Sequence, residues 1–375
     1  MNLNKKHQKH PKLKRPNVGN YHRLEWSIYG TACGEIEKLY MSIDKYFQEK
    51  FRLSYIDADH SDSNKDTSLQ IGKKKFSQNY INEVNSFDDK FNLALSQAVF
   101  INGNHYSGQR QIVIINPEKK DSLFRRVDQL TNIDLVILRD TKTEIYDFVK
   151  EKMNENSLVF YLNEPHRIFD FLEQEIDKST PQIKALILAG GKSTRMQEDK
   201  SKLKYHNETP QEEYLAKMCQ NLGIETYISK STEEKQSEID GIPVIKDRYV
   251  EMGPFGAILS AFMHDPDAAW MVLACDLPYI SGEFIKHLIQ ERSIAHFATA
   301  YKVKDNPFPE PLIAIYEPVI YQRMLSFLSL GYACPRKVLI NSEVKHVLLD
   351  DEQIAFNANT PEDKDLVFNK LNVKA

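Results

Sequence analysis

The stretch Leu186-Ile-Leu-Ala-Gly-Gly-Lys-Ser-Thr-Arg-Met196, followed by Asp199-Lys200, decides how this chain reads. An apolar run enters a glycine pair and then a loop carrying one arginine and several lysines. That order predicts a buried strand, then a loop whose backbone N–H groups meet an anion without obstruction by Cβ, and cations beside it. A nucleoside triphosphate carries about four negative charges, more than backbone donors neutralise, so basic side chains belong nearby. Arg195 suits a bidentate grip and Lys200 a point charge, and Lys202 adds a third cation. Gly191-Lys192-Ser193 imitates the end of a Walker A loop. That motif requires a glycine where Leu186 stands, inside the strand, so a P-loop is excluded at this site.

The segment starts halfway along 375 residues, a length that predicts two domains. Hydrophobic residues make up 41%, enough for two ordinary cores. With 27% charged residues and a net charge of −4, the balance argues against a dedicated nucleic-acid binder. Cys33, Cys219, Cys275 and Cys334 are scattered and form no C-x-x-C pair. Neither a zinc site nor a disulfide framework is indicated, which points to a reducing, cytoplasmic compartment. The start of the chain is basic and polar, with Lys5, Lys6, Lys9, Lys12, Lys14 and Arg15, and lacks the apolar core of a signal peptide. Residues 1–20 are expected to form a basic solvated tail, and no run is long enough to cross a membrane.

Outward from the loop, apolar runs alternate with helical spacing. In the first half, strands are expected at Leu24–Tyr29, Phe51–Ile56, Ala98–Ile101, Gln111–Ile115, Leu135–Leu138 and Leu158–Tyr161. Helices are expected from Ile36 to Phe47 and near Asp121–Leu130 and Lys142–Lys152. Ser61–Lys75 has no periodicity and reads as a loop. The polar Asp177-Lys-Ser-Thr-Pro181 reads as a linker. A second series follows, with strands at Lys184–Leu188, Glu225–Ile228, Pro243–Ile245 and Trp270–Cys275 and helices at Gln211–Leu222, Phe255–Met263 and Gly282–Gln290. The predicted class is α/β in two domains, residues 21–178 and 183–375. Each is a mostly parallel sheet with helices on both faces.

Three further pieces of the second half carry chemistry. Met271-Val-Leu-Ala-Cys-Asp276-Leu-Pro278 is an apolar strand ending in an aspartate. Ligands of open α/β sheets bind at the carboxyl ends of strands, so Asp276 is placed to hold Mg²⁺, which bridges triphosphate oxygens. As a bland alternative it caps a turn. Gly253-Pro-Phe-Gly256 is a glycine loop opening a helix, suited to close approach of a flat base. In Asn357-Ala-Asn-Thr-Pro-Glu-Asp363, Thr360 caps a helix, Pro361 is its first residue and Asp363 lies three residues after the cap. Capping leaves Asn357 and Asn359 unexplained.

Taken together, Leu188-Ala-Gly-Gly-x-Ser-x-Arg-Met, Asp199-Lys200, Gly253-Pro-x-Gly256, Cys275-Asp-x-Pro278 and Asn357-x-Asn-Thr-Pro-Glu resemble the MobA-like NTP transferases, in the family's order, over about Ile183 to Leu371. The resemblance implies a Rossmann-like nucleotidyltransferase fold and Mg²⁺ as cofactor. It also implies transfer of a nucleotide from a nucleoside triphosphate to a phosphorylated acceptor. It assigns Leu188, Ala189, Gly190, Gly191, Lys200, Asp247 and Gly253 to the nucleotide, Asp276 to the nucleotide and the metal, and Asn359 to the acceptor. Lys200, Arg195 and Asp276 would carry catalysis by charge neutralisation and positioning. The Asp199-Lys200 pair and Ala189-Gly190-Gly191 point to GTP with molybdopterin as acceptor, in molybdenum cofactor biosynthesis. A molybdoenzyme or cofactor-delivery partner would follow. An anionic acceptor needs its own cations, and Arg336 and Lys337 in Pro335-Arg-Lys337 are the candidates; a solvated helix start is the plain alternative. Competing readings are a CTP-dependent or phosphosugar nucleotidyltransferase and a non-catalytic nucleotide-binding regulator. Two departures stand out. Gln197 replaces the glycine usual after Arg-Met, and Ile228-Ser-Lys230 lacks the asparagine common at the end of the second strand.

The first half opens with Gly30-Thr-Ala-Cys-Gly34-Glu35 between a strand and a helix. A P-loop belongs at that place, but no lysine follows Gly34, and a triphosphate would meet Glu35 where it needs a cation. The domain order resembles the MobB-like P-loop proteins, in degenerate form, with Asp57, His60, Asn102 and His105 as polar strand-end residues. It is expected to serve as an adaptor, a molybdopterin-binding surface or a dimerisation module.

Overall fold

The computed structural model describes residues 19–21, 23–58, 67–71, 74–78, 86–189, 200–206, 209–304, 306–349, 352–358 and 360–372, with backbone alone for 67–71, 74–78, 86–87, 200, 352 and 372. The chain divides between Thr180 and Pro181 into two compact units. Both are α/β.

The first unit holds strands β1 (Leu24–Tyr29), β2 (Leu53–Ala58), β3 (Thr67–Ile71), β4 (Lys74–Gln78), β5 (Ala98–Asn102), β6 (Arg110–Ile115), β7 (Ile133–Leu138) and β8 (Met153–Tyr161). They form one sheet in the order β4-β3-β2-β5-β1-β6-β7-β8. Strands β2, β5, β1, β6, β7 and β8 run parallel. Helix α1 (Cys33–Phe47) directs Tyr40 onto the sheet, where it stacks on Tyr55 and packs on Phe100. The residues read as the loop Ser61–Lys75 include strand β3 and the start of β4, an antiparallel hairpin on the sheet edge. Edge strands lack the apolar run of a doubly covered strand and so leave no such pattern in the sequence.

The helices expected near Asp121–Leu130 and Lys142–Lys152 shrink to α3 (Lys120–Phe124) and α4 (Asp147–Lys150). Two others lie where none was marked, α2 (Ser86–Leu93) and α5 (Pro165–Lys178). Helix α5 buries Ile168, Leu172 and Ile176, a four-residue repeat among acidic neighbours, and runs into the expected linker, which shortens to Ser179–Thr180.

The second unit holds β9 (Ile183–Leu188), β10 (Glu225–Lys230), β11 (Glu238–Ile239), β12 (Ile242–Lys246), β13 (Ala269–Ala274), β14 (Ala298–Val303), β15 (Ile313–Tyr316) and β16 (Val344–Leu349). Their order is β11-β12-β10-β9-β13-β15-β14-β16. Strands β12, β10, β9 and β13 are parallel, and β15 runs antiparallel between β13 and β14. Ala185, Leu186 and Ile187 of β9 are fully buried, as a central strand covered on both faces requires. Helices α6 (Gln211–Asn221) and α8 (Gly282–Gln290) pack Leu215, Cys219, Ile285 and Leu288 on the face of Ala185, Ile187, Met271 and Leu273. Helix α7 (Gly253–His264) is buried along Phe255–Phe262 and packs on β9, β12 and β13. Its Phe262 stacks on Tyr321 of α9 (Val319–Ser329). Two more helices, α10 (Pro335–Ile340) and α11 (Pro361–Asn372), complete the unit. Sheet order reverses at β9: the chain moves to β10 and β12 on one side and to β13 on the other. Such a reversal opens a crevice at the carboxyl ends.

Candidate functional site

The crevice is built by strand register. Leu188 lies opposite Ser229 on one side and Ala274 on the other, and Ser229 lies opposite Ile245, so four parallel strands end together. Backbone bonds extend the row past the strands. Ala189 N donates to the Ser229 carbonyl at 3.2 Å, Asp247 N to the Lys230 carbonyl at 2.9 Å, and Cys275 N to the Leu188 carbonyl at 3.3 Å. Leu188, Ala189, Asp247 and Asp276 are thereby brought to one edge of the sheet. Gly190, Gly191, Arg195 and Asn359 lie outside the described residues, as does the side chain of Lys200.

Burial pushes the Asp247 carboxyl up to about 6, against the opposing effect of the Ser229 hydroxyl, which donates to Oδ1 at 3.0 Å. Behind it stands Lys230, which sequence reasoning marked only as the place of a missing asparagine. Its ammonium is buried and donates to the Glu212 carboxylate of α6, to Ser201 Oγ and to the Ala189 carbonyl. Nothing in the local sequence distinguishes this lysine from a surface one. Only the packing of α6 over β10 encloses it.

Asp276 follows β13 and is partly buried. The Tyr205 phenol beside it is pushed up to about 12, first by its burial and then by the carboxylates of Asp276 and Asp363. Negative charge therefore gathers at this strand end. The C-terminal segment reaches the same point, because Ala358 N donates to the Asp276 carbonyl at 2.9 Å. A small core of Leu203, Tyr205, Ala358 and Val367 fixes it there. Thr360 and Asp363 cap α11 reciprocally: Asp363 N donates to Thr360 Oγ1 at 3.2 Å and Thr360 N to Asp363 Oδ2 at 2.9 Å. Among the described residues no three His, Cys, Asp or Glu groups could hold a metal together. Asp276 supplies one carboxylate at this strand end, the oxygen ligand that hard cations take.

The two glycines of α7 differ in purpose. Gly253 has φ +53° with open space around its Cα, whereas a Cβ on Gly256 would lie 2.2 Å from the Tyr249 carbonyl oxygen. The second glycine thus serves close packing of helix on loop and not approach of a base. Arg336 and Lys337 open α10. Arg336 pairs with Glu310 at 3.3 Å, and the Lys337 ammonium stands 5.0 Å from the Tyr332 ring centre.

In the first unit, β1 is followed by Gly30, where φ is +89° and a Cβ would lie 2.2 Å from the Ile114 carbonyl oxygen. The Glu35 carboxylate accepts from Thr31 Oγ1, from Asn116 Nδ2 and from Arg139. The start of α1, where a phosphate would bind, thus carries the protein's own carboxylate. Cys33 Sγ lies 3.3 Å from His105 Nε2, and Asn102 Nδ2 donates to Asp57 Oδ1 at 2.9 Å. His60 lies outside the described residues. All four cysteines are free. No helix of the described residues is long and apolar enough to cross a membrane.

Comparison with known proteins finds a family match within the second unit. Residues 185–345 match the MobA-like NTP transferase domain. A Synechocystis sp. protein named "Molybdenum cofactor biosynthesis bifunctional protein" is 31% identical over 50% of this chain and 54% of its own length. The chain thus spans about half of that relative. A Flavobacterium johnsoniae protein named "Probable molybdenum cofactor guanylyltransferase" is 33% identical over 36% of this chain and 68% of its own length. Among solved structures, molybdopterin-guanine dinucleotide biosynthesis protein A from Archaeoglobus fulgidus aligns with a TM-score of 0.44 and 22% identity, covering 51% of this chain and 99% of that one.

Proposed function

The chain belongs to the MobA-like NTP transferase family, and on that premise we propose that its second unit transfers GMP from GTP to molybdopterin and releases pyrophosphate. The convergence of Leu188, Ala189, Asp247 and Asp276 at the carboxyl ends of β9, β12 and β13 carries this reading. The names of the two relatives support the choice of GTP and the molybdenum cofactor.

In this reading the backbone of Leu188–Gly191 lines the nucleotide, while Lys200 and Arg195 neutralise its phosphates. Asp247 accepts from a hydroxyl of the nucleotide, and Gly253 leaves room beside it. Mg²⁺, held by Asp276, would supply charge neutralisation at the phosphate oxygens. The terminal phosphate of the acceptor attacks the α-phosphorus in line, the bond to the β-phosphate oxygen breaks, and pyrophosphate leaves. An attacking phosphate monoester needs no strong base, so positioning and charge suffice. Asn359, Arg336 and Lys337 are our candidates for holding the acceptor. The Arg336 side chain is 44% exposed beside a Glu310 that is 14% exposed, so its guanidinium keeps a solvent-facing side for an anion. We read the first unit as a degenerate P-loop-like domain with an adaptor or acceptor-binding role, since Glu35 stands where a phosphate would bind.

The test supplies Mg²⁺, molybdopterin and each nucleoside triphosphate in turn and measures pyrophosphate. Release with GTP alone, abolished in Asp276→Ala, is expected. Release with CTP alone would overturn the base assignment. Release with every nucleotide, unchanged in Asp276→Ala, would overturn the mechanism.

A further inference from the structure

We propose that Lys230 is a positioning residue for the 190–200 loop: its ammonium ties the residue entering the loop to the residue leaving it, and so sets the loop's span before a nucleotide arrives. This rests on the reading of that loop as nucleotide-binding.

Lys230 is the last residue of β10, and its side chain is 8% exposed against 4% for its partner Glu212. Lysine is almost never enclosed to this degree unless paired. An ammonium has three protons and no acceptor. Three acceptors surround this one: the Glu212 carboxylate, Ser201 Oγ at 3.3 Å and the Ala189 carbonyl at 3.4 Å. All three protons are thereby engaged, which leaves none for a phosphate. Lys230 therefore does not act as a clamp on the nucleotide, in contrast to the role proposed for Lys200.

What the three acceptors share is their place in the chain. Ala189 immediately precedes Gly190, and Ser201 immediately follows Lys200. One buried charge thus joins the two ends of the segment that carries the glycine pair and Arg195. Its own position is over-determined. The Lys230 backbone lies in register with Lys246 and its carbonyl accepts from Asp247 N. Glu212 sits in the first turn of α6, where a carboxylate is favoured by the helix dipole. The chain beyond Ser201 is anchored where Gln211 N donates to the Leu203 carbonyl at 2.8 Å. Bringing two distant points of a chain together costs entropy that grows with the length between them. Here folding has already met that cost, so nucleotide binding need not.

The test uses the full-length protein and the double variant Lys230→Met/Glu212→Leu. Removing both partners leaves no uncompensated buried charge, whereas Lys230→Met alone would strand Glu212. Thermal melting verifies that the double variant folds; if it melts far below the parent, Lys230→Gln/Glu212→Gln replaces it. GTP binding with Mg²⁺ is then measured by calorimetry, with KM and kcat for pyrophosphate release. We expect Kd and KM for GTP to rise about tenfold, equivalent to about 1.4 kcal/mol, with kcat within about threefold. Trypsin cleavage after Lys192 and Arg195, without nucleotide, is expected to quicken several-fold and to slow again under saturating GTP. A parent that binds GTP and a folded variant that binds it equally, with the same tryptic rates, would overturn the inference. A parent that binds no nucleoside triphosphate would overturn the nucleotide reading instead. The tryptic comparison alone would then decide whether Lys230 ties the loop.

Discussion

Asp247 shows what a single enclosed carboxylate does to this fold. Its folded value of about 6 exceeds the ordinary carboxylate value of roughly 3.9. Between about pH 4 and pH 6 the unfolded chain has released a proton that the folded chain still holds. Stability from this group is therefore complete below pH ~4 and is lost as pH rises through 6. Asp247→Asn is expected to melt higher than the parent at pH 7.5 and level with it below pH 4. Melting curves at the two pH values check this, and an equal offset at both would refute it. If Asp247 accepts from the nucleotide, the same variant binds GTP about tenfold more weakly, the scale of a lost charged hydrogen bond. At this scale too, Lys200→Ala is expected to weaken nucleotide binding far more than Lys192→Ala, and equal losses would refute a distinct role for Lys200. The sequence offers a glycine pair, a strand-end aspartate and a following lysine in order along the chain, and of these the structure places Asp276 beside Leu188 and Ala189. Lys230 and Tyr205 were not legible, because their significance is enclosure by residues distant in sequence.

At the scale of elements, two substitutions probe how helices are seated around the crevice. Gly256→Ala places a methyl against the Tyr249 carbonyl oxygen, so α7 must shift, at a cost of about 1–3 kcal/mol. Chemical denaturation measures it, and a loss below about 0.5 kcal/mol would show that α7 slides freely. Thr360→Ala removes one half of the reciprocal cap of α11 and is expected to cost about 1 kcal/mol. The central strands and α1, α6, α7 and α8 were predictable, since a doubly covered strand is continuously apolar and an amphipathic helix repeats every three to four residues. The β3–β4 hairpin escaped because an edge pair needs no such run. Helix α5 escaped because Phe169 and Phe171 interrupt the four-residue repeat of Ile168, Leu172 and Ile176. The antiparallel insertion of β15 escaped because strand direction leaves no mark on composition.

At the scale of the molecule, the described residues form two eight-stranded sheets, one in each unit. In the second unit Arg292 holds the Glu317 carboxylate through Nε at 2.7 Å and a terminal nitrogen at 2.8 Å, and also donates to the Pro181 carbonyl. The entry of the chain is thereby fixed to its own sheet. Residues 181–375 expressed alone are expected to retain GTP-dependent pyrophosphate release; a folded but inactive fragment would assign the first unit a part in the reaction. The sequence by itself determined the α/β class, the division near Pro181 and the order of the site's motifs. Each of these is written in local hydrophobic period, in turn chemistry and in the spacing of charged residues. Only the tertiary structure decided that Glu35 is held by Thr31, Asn116 and Arg139, that Gly256 serves packing, and that Lys230 joins the ends of the loop. These depend on which distant groups burial brings together, and a buried charge takes its role from its partners.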